Sequence, residues 1–390
     1  MTMRVSQICI GRFHHFHLAR QLEKMGWLKA IHTGYPRFKL RDETGIPPEK
    51  IRSFPWLQGP FMARGRFGLT QPWLDREWAW LASETLDRHA ARFMSGTDVL
   101  IALSGSGLRA GRAVQAAGGH YLCDRASTHI RYQDEILREE HGRWGLKFEG
   151  VDPRVIAKEE AEYELADRIT VPSKFVHGSF LAKGVSPKKV ARVPFGARLE
   201  RFRPVGEPAA GEFTVLFVGQ VGLRKGIPDL LAAFAQLRHP RKRLIVVGVM
   251  LPEMSPLLGR FDLTGVEFVG IVPNARLAEF YSRAHVLVLP SIEEGLSYVQ
   301  GEALACGCPV VATPNTGAED LFTDGCEGFI VPIRRPDLIH EKLERFVQAP
   351  FLARKMGEAG LGRVRALGGW DVYGEQMAAV LREVSAEAVS

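Results

Sequence analysis

The sequence predicts an α/β protein of two doubly wound, Rossmann-like domains facing a cleft, and three observations predict it. Short apolar runs alternate with helical stretches, as expected of parallel strands joined by helical crossovers. The alternation runs through the first half of the chain, breaks at a stretch rich in Pro, Gly and Ala (202–211), and restarts. The chain has 390 residues, room for two domains of ordinary size.

In chain order, residues 5–10 read as a buried strand and 16–25 as the helix after it. Residues 99–103 give a second strand, 108–117 its helix, and 120–123 a short third strand. A polar helix over 153–166 leads to a strand at 169–172, a helix at 174–182 and a strand at 190–193. After the break, 213–218 is a strand and 227–237 a helix, with further strands at 244–249, 266–269, 286–289 and 309–313. The expected boundaries are 1–200 for the first domain, 201–211 for the linker, 212–368 for the second domain and 369–390 for a terminal helix. Ligands of such sheets bind outside the carboxyl ends of the strands.

Residues 37–68 depart from the alternation. Arg37, Lys39, Arg41, Lys50, Arg52, Arg64 and Arg66 interleave with Phe38, Phe54, Trp56, Phe61 and Phe67. Such a segment reads either as a surface for an anionic membrane or charged acceptor, or as an insertion whose aromatics fold back onto the core.

Hydrophobic residues make up 46% and charged residues 24%, the balance of a soluble globular chain. No apolar run approaches the roughly 20 residues that span a bilayer, and the first residues lack the long apolar region of a secretory signal. Five cysteines without regular spacing argue against a disulfide framework. A cytoplasmic location is the expectation. The net charge of +7 favours anionic partners.

The chemistry concentrates in two loops of the second half. The loop 220–226, QVGLRKG, follows Gly219 and brings Arg224 and Lys225 to a strand's carboxyl end, where cations stabilise a departing diphosphate. A helix beginning near Ser297 points its N-terminus at the same place. The amides of Gly295, Leu296, Ser297 and Tyr298 are therefore expected to meet phosphate oxygens. In the first half, Gly11 precedes a turn containing His14, His15 and His17. With no Asp-x-Asp motif beside them, no metal site is expected. Gly105-Ser106-Gly107-Leu108-Arg109-Ala110, followed by Asp124, fits a dinucleotide fingerprint and keeps an NAD-dependent dehydrogenase as a rival reading. Alternatively, the helix N-terminus at Leu108 would take an anionic group of an acceptor.

Glu294 and Glu302, with seven residues between them, follow an apolar strand and precede the small-residue run 303–307 and a second apolar strand. This order resembles the donor-sugar signature of the retaining glycosyltransferases of family 4 (glycosyl transferases group 1), which have the GT-B fold. The resemblance is close from about residue 150 onward and loose before it. It implies that Glu302 accepts from ribose hydroxyls and Glu294 contacts the transferred sugar. It also implies that the Gly270–Pro273 segment, with Val272, meets the nucleobase. The loop at Gly11 would lie over donor and acceptor, and His129 would reach the sugar or reaction centre. The final helix, opening with Trp370, Asp371 and Tyr373, would cross back to the first, acceptor-side domain. Family members carry Gly-Arg, four residues, then Lys-Gly; here Gln220 stands in place of the arginine, and Arg224 is expected to supply the lost charge.

The implied activity is metal-independent transfer of a sugar from a nucleotide-diphosphate donor, a co-substrate, with no cofactor. The acceptor would be a saccharide, a lipid-linked molecule or another hydroxyl. Nucleic acid is not an expected partner, and an anionic membrane surface is a peripheral one. Glu293 is expected to be an exposed neighbour. The competing class is a binding protein that holds nucleotide sugar without turnover.

Overall fold

The computed structural model describes residues 3–69, 71–196 and 201–387. The side chain of Arg66, named above, lies outside the described residues, as do residues 197–200 beside the expected boundary at 200/201.

Thirteen described strands form two wholly parallel sheets. The first sheet comprises β1 (Val5–Cys9), β2 (Leu28–Thr33), β3 (Ile51–Ser53), β4 (Val99–Leu103), β5 (His120–Asp124), β6 (Arg168–Val171) and β7 (Val190–Arg192), in the order 3-2-1-4-5-6-7. Its helices are α1 (His15–Lys24), α2 (Gln58–Ala63), α3 (Pro72–Ala91), α4 (Leu108–Ala116), α5 (Ile130–Arg143), α6 (Pro153–Leu165) and α7 (Lys174–Ala182). The second sheet comprises β8 (Phe213–Val218), β9 (Lys242–Val247), β10 (Val266–Gly270), β11 (Val286–Leu289), β12 (Val310–Ala312) and β13 (Gly328–Ile330), in the order 10-9-8-11-12-13. With it go α8 (Ile227–Gln236), α9 (Leu277–Arg283), α10 (Tyr298–Ala305), α11 (Ala318–Leu321), α12 (Pro336–Gln348), α13 (Pro350–Leu367) and α14 (Trp370–Glu387).

Helices on both faces leave no polar side for the central strands, which is why β1, β8 and β11 are buried along their whole length. Strand order reverses between β1 and β4 in one sheet and between β8 and β11 in the other. Each reversal opens a crevice at the carboxyl ends of those strands.

The final helix crosses back. Tyr373, Met377 and Leu381 of α14 are buried in the same apolar cluster as Phe16, Leu18 and Leu22 of α1 and Ile31 of β2. Lys24 pairs with Asp371 at 2.8 Å. The stretch at 202–211 does not run free: Phe202 packs edge-on against Tyr281, and the Val205 amide donates to Ser282 Oγ.

The segment 37–68 folds in part back onto the core, the second of the two expectations. It supplies β3, paired with β2, while Leu40, Ile46 and Ile51 are buried and Phe54 stacks on His89 at 4.2 Å. Phe38, Trp56 and Phe67 remain exposed. Among the described residues no helix is long and apolar enough to cross a membrane.

Candidate functional site

The β8–α8 loop is built around a single 3-10 turn, Leu223–Lys225. Leu223 is buried and its amide donates to Glu253 Oε1 at 2.8 Å, so the turn is anchored at its start. Gly226 closes it with φ of 65°, and a Cβ there would stand 2.0 Å from the Pro290 carbonyl oxygen. That position needs glycine twice over, for conformation and for space. The consequence is that the β8 loop lies directly against the loop leaving β11.

Lys225 and Glu294 form an ion pair across these two loops. Burial first, and then the charge of Arg224, pull the Lys225 ammonium down from its ordinary value to about 7. Contact with the Glu294 carboxylate favours the charged form. Ser291 Oγ and the Asn315 carbonyl, which accepts from the Glu294 amide, complete the setting. Gln220 is exposed on the same loop.

Glu293 is a correction to the sequence reading. It is fully buried rather than exposed. Its Oε1 accepts from Ser127 Oγ at 2.6 Å, Thr128 Oγ1 at 2.7 Å and the Thr128 amide at 3.1 Å. Its Oε2 accepts from Arg224 Nε at 2.8 Å and Gln133 Nε2 at 3.0 Å. Burial would raise this carboxyl, but the Arg224 charge and the Ser127 and Thr128 hydrogen bonds outweigh it and hold it at about 2. Gly295 touches the same turn, where a Cβ would stand 1.7 Å from the Ala126 carbonyl oxygen, and its own carbonyl accepts from Ser173 Oγ at 2.6 Å.

The helix N-terminus is only partly available. The Ser297 amide donates to the Thr316 carbonyl at 3.1 Å, so it is not free for a phosphate as expected. Leu296 is buried in the second sheet's core, and the half-exposed Tyr298 ring stacks on Phe195 at 5.6 Å. Further along α10, Glu302 accepts from Tyr281 Oη at 2.8 Å through Oε2. Burial raises its carboxyl, opposed by that hydrogen bond. Val272 follows β10 and packs against the same core as Leu296. A cavity of about 460 Å³ adjoins Arg224 and Lys225, with Lys147 and Phe148 reaching it from the first domain.

In the first domain, the Gly11 carbonyl accepts from Cys9 Sγ and Thr33 Oγ1. His129 is a second correction. It caps α5, its Nδ1 accepting from the Arg131 amide, and its ring sits between Tyr163 and Phe180 at 4.9 and 5.1 Å. Burial, helped by the charges of Arg125, Lys183 and Arg131 and opposed by Glu160, lowers it to about 4, so it is a neutral core imidazole. The histidine that reaches the carboxyl end of β5 is instead His14, whose Nε2 lies 2.5 Å from Asp124 Oδ2; His15 Nε2 lies 3.4 Å from the same oxygen. Among the described residues, His14, His15 and Asp124 form the group whose ligand atoms, all within 4.8 Å, are close enough to hold a cation. Thr170 Oγ1 donates to the other Asp124 oxygen at 2.6 Å.

The dinucleotide-like loop is already occupied from within. The Gly105 and Gly107 amides donate to Glu162 at 2.5 and 2.8 Å, and the Arg109 and Ala110 amides to Asp87 at 3.0 Å each. The amides that would meet a pyrophosphate or an acceptor anion are satisfied by the protein's own carboxylates, which removes both readings of that loop.

The structure thus joins Arg224, Lys225 and Glu294 in one constellation and adds Glu293, Ser127, Thr128 and Gln133, which the sequence reading missed. The available signal was the Glu293–Glu294 pair itself, two adjacent carboxylates in the turn that follows β11.

The comparisons bear on this constellation. The family model for glycosyl transferases group 1 matches residues 200–363. The chain is 34% identical over 302 residues to a D-inositol 3-phosphate glycosyltransferase of Frankia alni, covering 65% of this chain and 74% of that protein. It is 31% identical over 256 residues to the Kribbella flavida protein of the same name, covering 59% of each. With the first three of these curated relatives, the match spans 59%, 49% and 55% of their own lengths. Among solved structures, the chain is similar to a sucrose-phosphate synthase from Thermosynechococcus elongatus, with a TM-score of 0.74 and 24% identity, covering 99% of this chain and 100% of that one. Anabaena HepE in complex with UDP-glucose gives 0.68 and 16%, covering 98% and 100%.

Proposed function

The chain belongs to the group 1 glycosyltransferases, and from that premise we propose that it is a retaining, metal-independent hexosyltransferase using a nucleotide-diphosphate sugar. The single observation that carries the reading is the meeting of Arg224, Lys225 and Glu294 where β8 and β11 end, at a reversal of strand order. Two cations there would stabilise the charge that grows on a leaving diphosphate. Glu294 would bind hydroxyls of the transferred sugar while holding Lys225. Glu302 would accept from the ribose diol through the oxygen that Tyr281 leaves open. The Gly295, Leu296 and Tyr298 amides would serve the phosphates, Val272 the base, and the Gly11 loop the face of the donor.

Glu293 and Glu294 are engaged by Arg224 and Lys225, which supports front-face attack with a donor phosphate oxygen taking the acceptor's proton. Closure of the two domains would exclude water. The donor is a co-substrate and no cofactor is required. The acceptor, a saccharide, a lipid-linked molecule or another hydroxyl compound, would bind mainly to the first domain. Because its curated relatives are named for D-inositol 3-phosphate, that polyol phosphate belongs in the acceptor panel. We further propose a peripheral contact with the anionic cytoplasmic face of a membrane through exposed Phe38, Trp56 and Phe67 beside Arg37 and Lys39. Sedimentation with anionic vesicles tests it, and recovery of all the protein in the supernatant rejects it.

The transferase reading is tested by a donor screen in the presence of EDTA, covering UDP-glucose, UDP-N-acetylglucosamine, UDP-galactose and GDP-mannose. Thermal stabilisation by one donor with release of its diphosphate supports it. The exposed Gln220, where the motif this loop resembles has arginine, favours one second reading, a nucleotide-sugar-binding protein without turnover. Stabilisation without diphosphate release under every acceptor would establish that reading instead.

A further inference from the structure

We infer that Glu293 is a positioning residue: it fixes Arg224 for the departing diphosphate and makes that placement depend on contact between the two domains. The inference rests on the donor-site reading above.

The Glu293 carboxylate divides its oxygens by origin. Oε1 is committed to the 127–128 turn of the first domain, with three donors within 3.1 Å. Oε2 is shared between Arg224 of the second domain and Gln133 of α5 in the first. Arg224 is therefore oriented by a group whose own orientation is set from the opposite side of the cleft. Its Nη2 also lies 3.3 Å from Ser127 Oγ, and its Nε 3.1 Å from the Glu293 carbonyl oxygen. Were the first domain to withdraw, a fully buried carboxylate would lose four of its five donors, three from the turn and one from Gln133, which buried charges tolerate poorly.

The neighbouring residues show the same division. Gly295 packs on the Ala126 carbonyl, with no room for a Cβ, while Glu294 between them turns to Lys225. Residues 293 and 295 thus contact the opposite domain, and residue 294 faces the leaving group's cation. Gln220 brings no charge to the loop, so its positive charge rests on Arg224 and Lys225 and the placement of Arg224 carries weight. The carboxyl of Glu293, held at about 2, stays ionised at any physiological pH and keeps this bridge in force.

The test compares wild-type protein with Glu293→Gln and Glu293→Asp, each first shown to melt cooperatively. With the donor found by the screen, Glu293→Gln should lower kcat on the order of ten- to a hundred-fold while donor KM changes by less than about threefold. Glu293→Asp should recover part of that loss. Inorganic pyrophosphate, titrated by calorimetry, should bind Glu293→Gln several-fold more weakly than wild type, and the Thr128 amide should exchange its hydrogen faster. A kcat within about twofold of wild type, or a loss matching the fraction of unfolded protein, overturns the inference. If wild type releases no diphosphate from any donor, the donor-site reading fails separately, and pyrophosphate affinity and Thr128 exchange still decide. Either one unchanged in Glu293→Gln overturns the role assigned to Glu293.

Discussion

Arg224 and Glu293 form an ion pair in which guanidinium Nε lies 2.8 Å from a carboxylate that solvent does not reach, while the arginine itself is 40% exposed. One partner is locked in the protein and the other faces the cleft. The pair holds a cation at the place where a departing anion would need it, and the buried partner supplies the rigidity.

Acid should dissolve this bridge. The Glu293 carboxyl is held at about 2, below the usual unfolded value of about 4.3. A depressed carboxyl contributes stability that is fully present above the unfolded value and lost as pH falls through the folded one. Urea unfolding between pH 5 and 2 should therefore show a steeper decline in wild type than in Glu293→Gln, which keeps only the contribution of other depressed carboxyls such as Asp124 and Asp98. At pH 7, Glu293→Ala should cost roughly 1–3 kcal/mol, less than the roughly 3–5 kcal/mol of a wholly buried pair, because water can solvate the orphaned Arg224. Parallel pH curves for the two proteins would contradict this.

Lys225 gives the opposite pH dependence. Its ammonium, lowered to about 7, is charged below that value and loses its proton as pH rises through it. The kcat/KM profile for the donor should fall on the alkaline side of about pH 7 in wild type. Lys225→Arg should keep its charge and flatten that limb. Lys225→Ala should lose on the order of a hundredfold or more in kcat at pH 6.5, the usual effect of removing a preorganised partner of the developing charge. Undiminished transfer by Lys225→Ala would refute the role given to that lysine.

Glu302 should matter for binding more than for turnover. Its carboxylate takes one protein donor, from Tyr281, and offers its second oxygen to a ligand diol. Glu302→Ala should weaken the nucleoside diphosphate by roughly ten- to a hundredfold, the worth of a charge-assisted hydrogen bond. Tyr281→Phe should weaken it less, since only the orientation of the carboxylate loosens. Calorimetric titration measures both, and an unchanged affinity in Glu302→Ala would remove that residue from the site.

The sequence made the alternation of strands and helices legible because both sheets are covered on two faces, so β8 and β11 are almost wholly apolar, while β1 is buried throughout although it carries Ser6 and Gln7. It hid β2, whose run LKAIHT is broken by Lys29 and His32, and β3, which is only three residues long and lies within a basic, irregular segment. Arg224, Lys225, Glu294 and Glu302 were legible because a loop's position after a strand and the spacing of two glutamates are local facts. Glu293 was not, since its direction depends on how a turn from the other domain, Ser127–Thr128, packs against it. His129 misled for a similar reason: its place after a strand suggests the cleft, but Tyr163 from α6 and Phe180 from α7 enclose it. His129→Ala should accordingly lower the melting temperature, through a lost helix cap of about 1 kcal/mol and lost ring packing. It should leave kcat per folded molecule close to wild type.

Gly295→Ala separates folding from domain contact. The Gly295 backbone does not require left-handed geometry, so alanine is conformationally acceptable there. The obstacle is the Ala126 carbonyl of the opposite domain, 1.7 Å from where a Cβ would stand. Backbone atoms cannot rotate away as a side-chain tip can, so the two segments must move apart. That movement stretches the Ser173–Gly295 hydrogen bond and the Glu293 bridge together. The nearest atoms that a Cβ would meet, of Ala126 and Pro172, all belong to the first domain, so the second domain's own stability should be little changed. The expected variant melts near the wild-type temperature, turns over its donor far more slowly, and scatters X-rays with a larger radius of gyration in the presence of nucleoside diphosphate. Wild-type turnover in Gly295→Ala would show that the site works without this contact, and that the facing turn is not part of what sets Arg224.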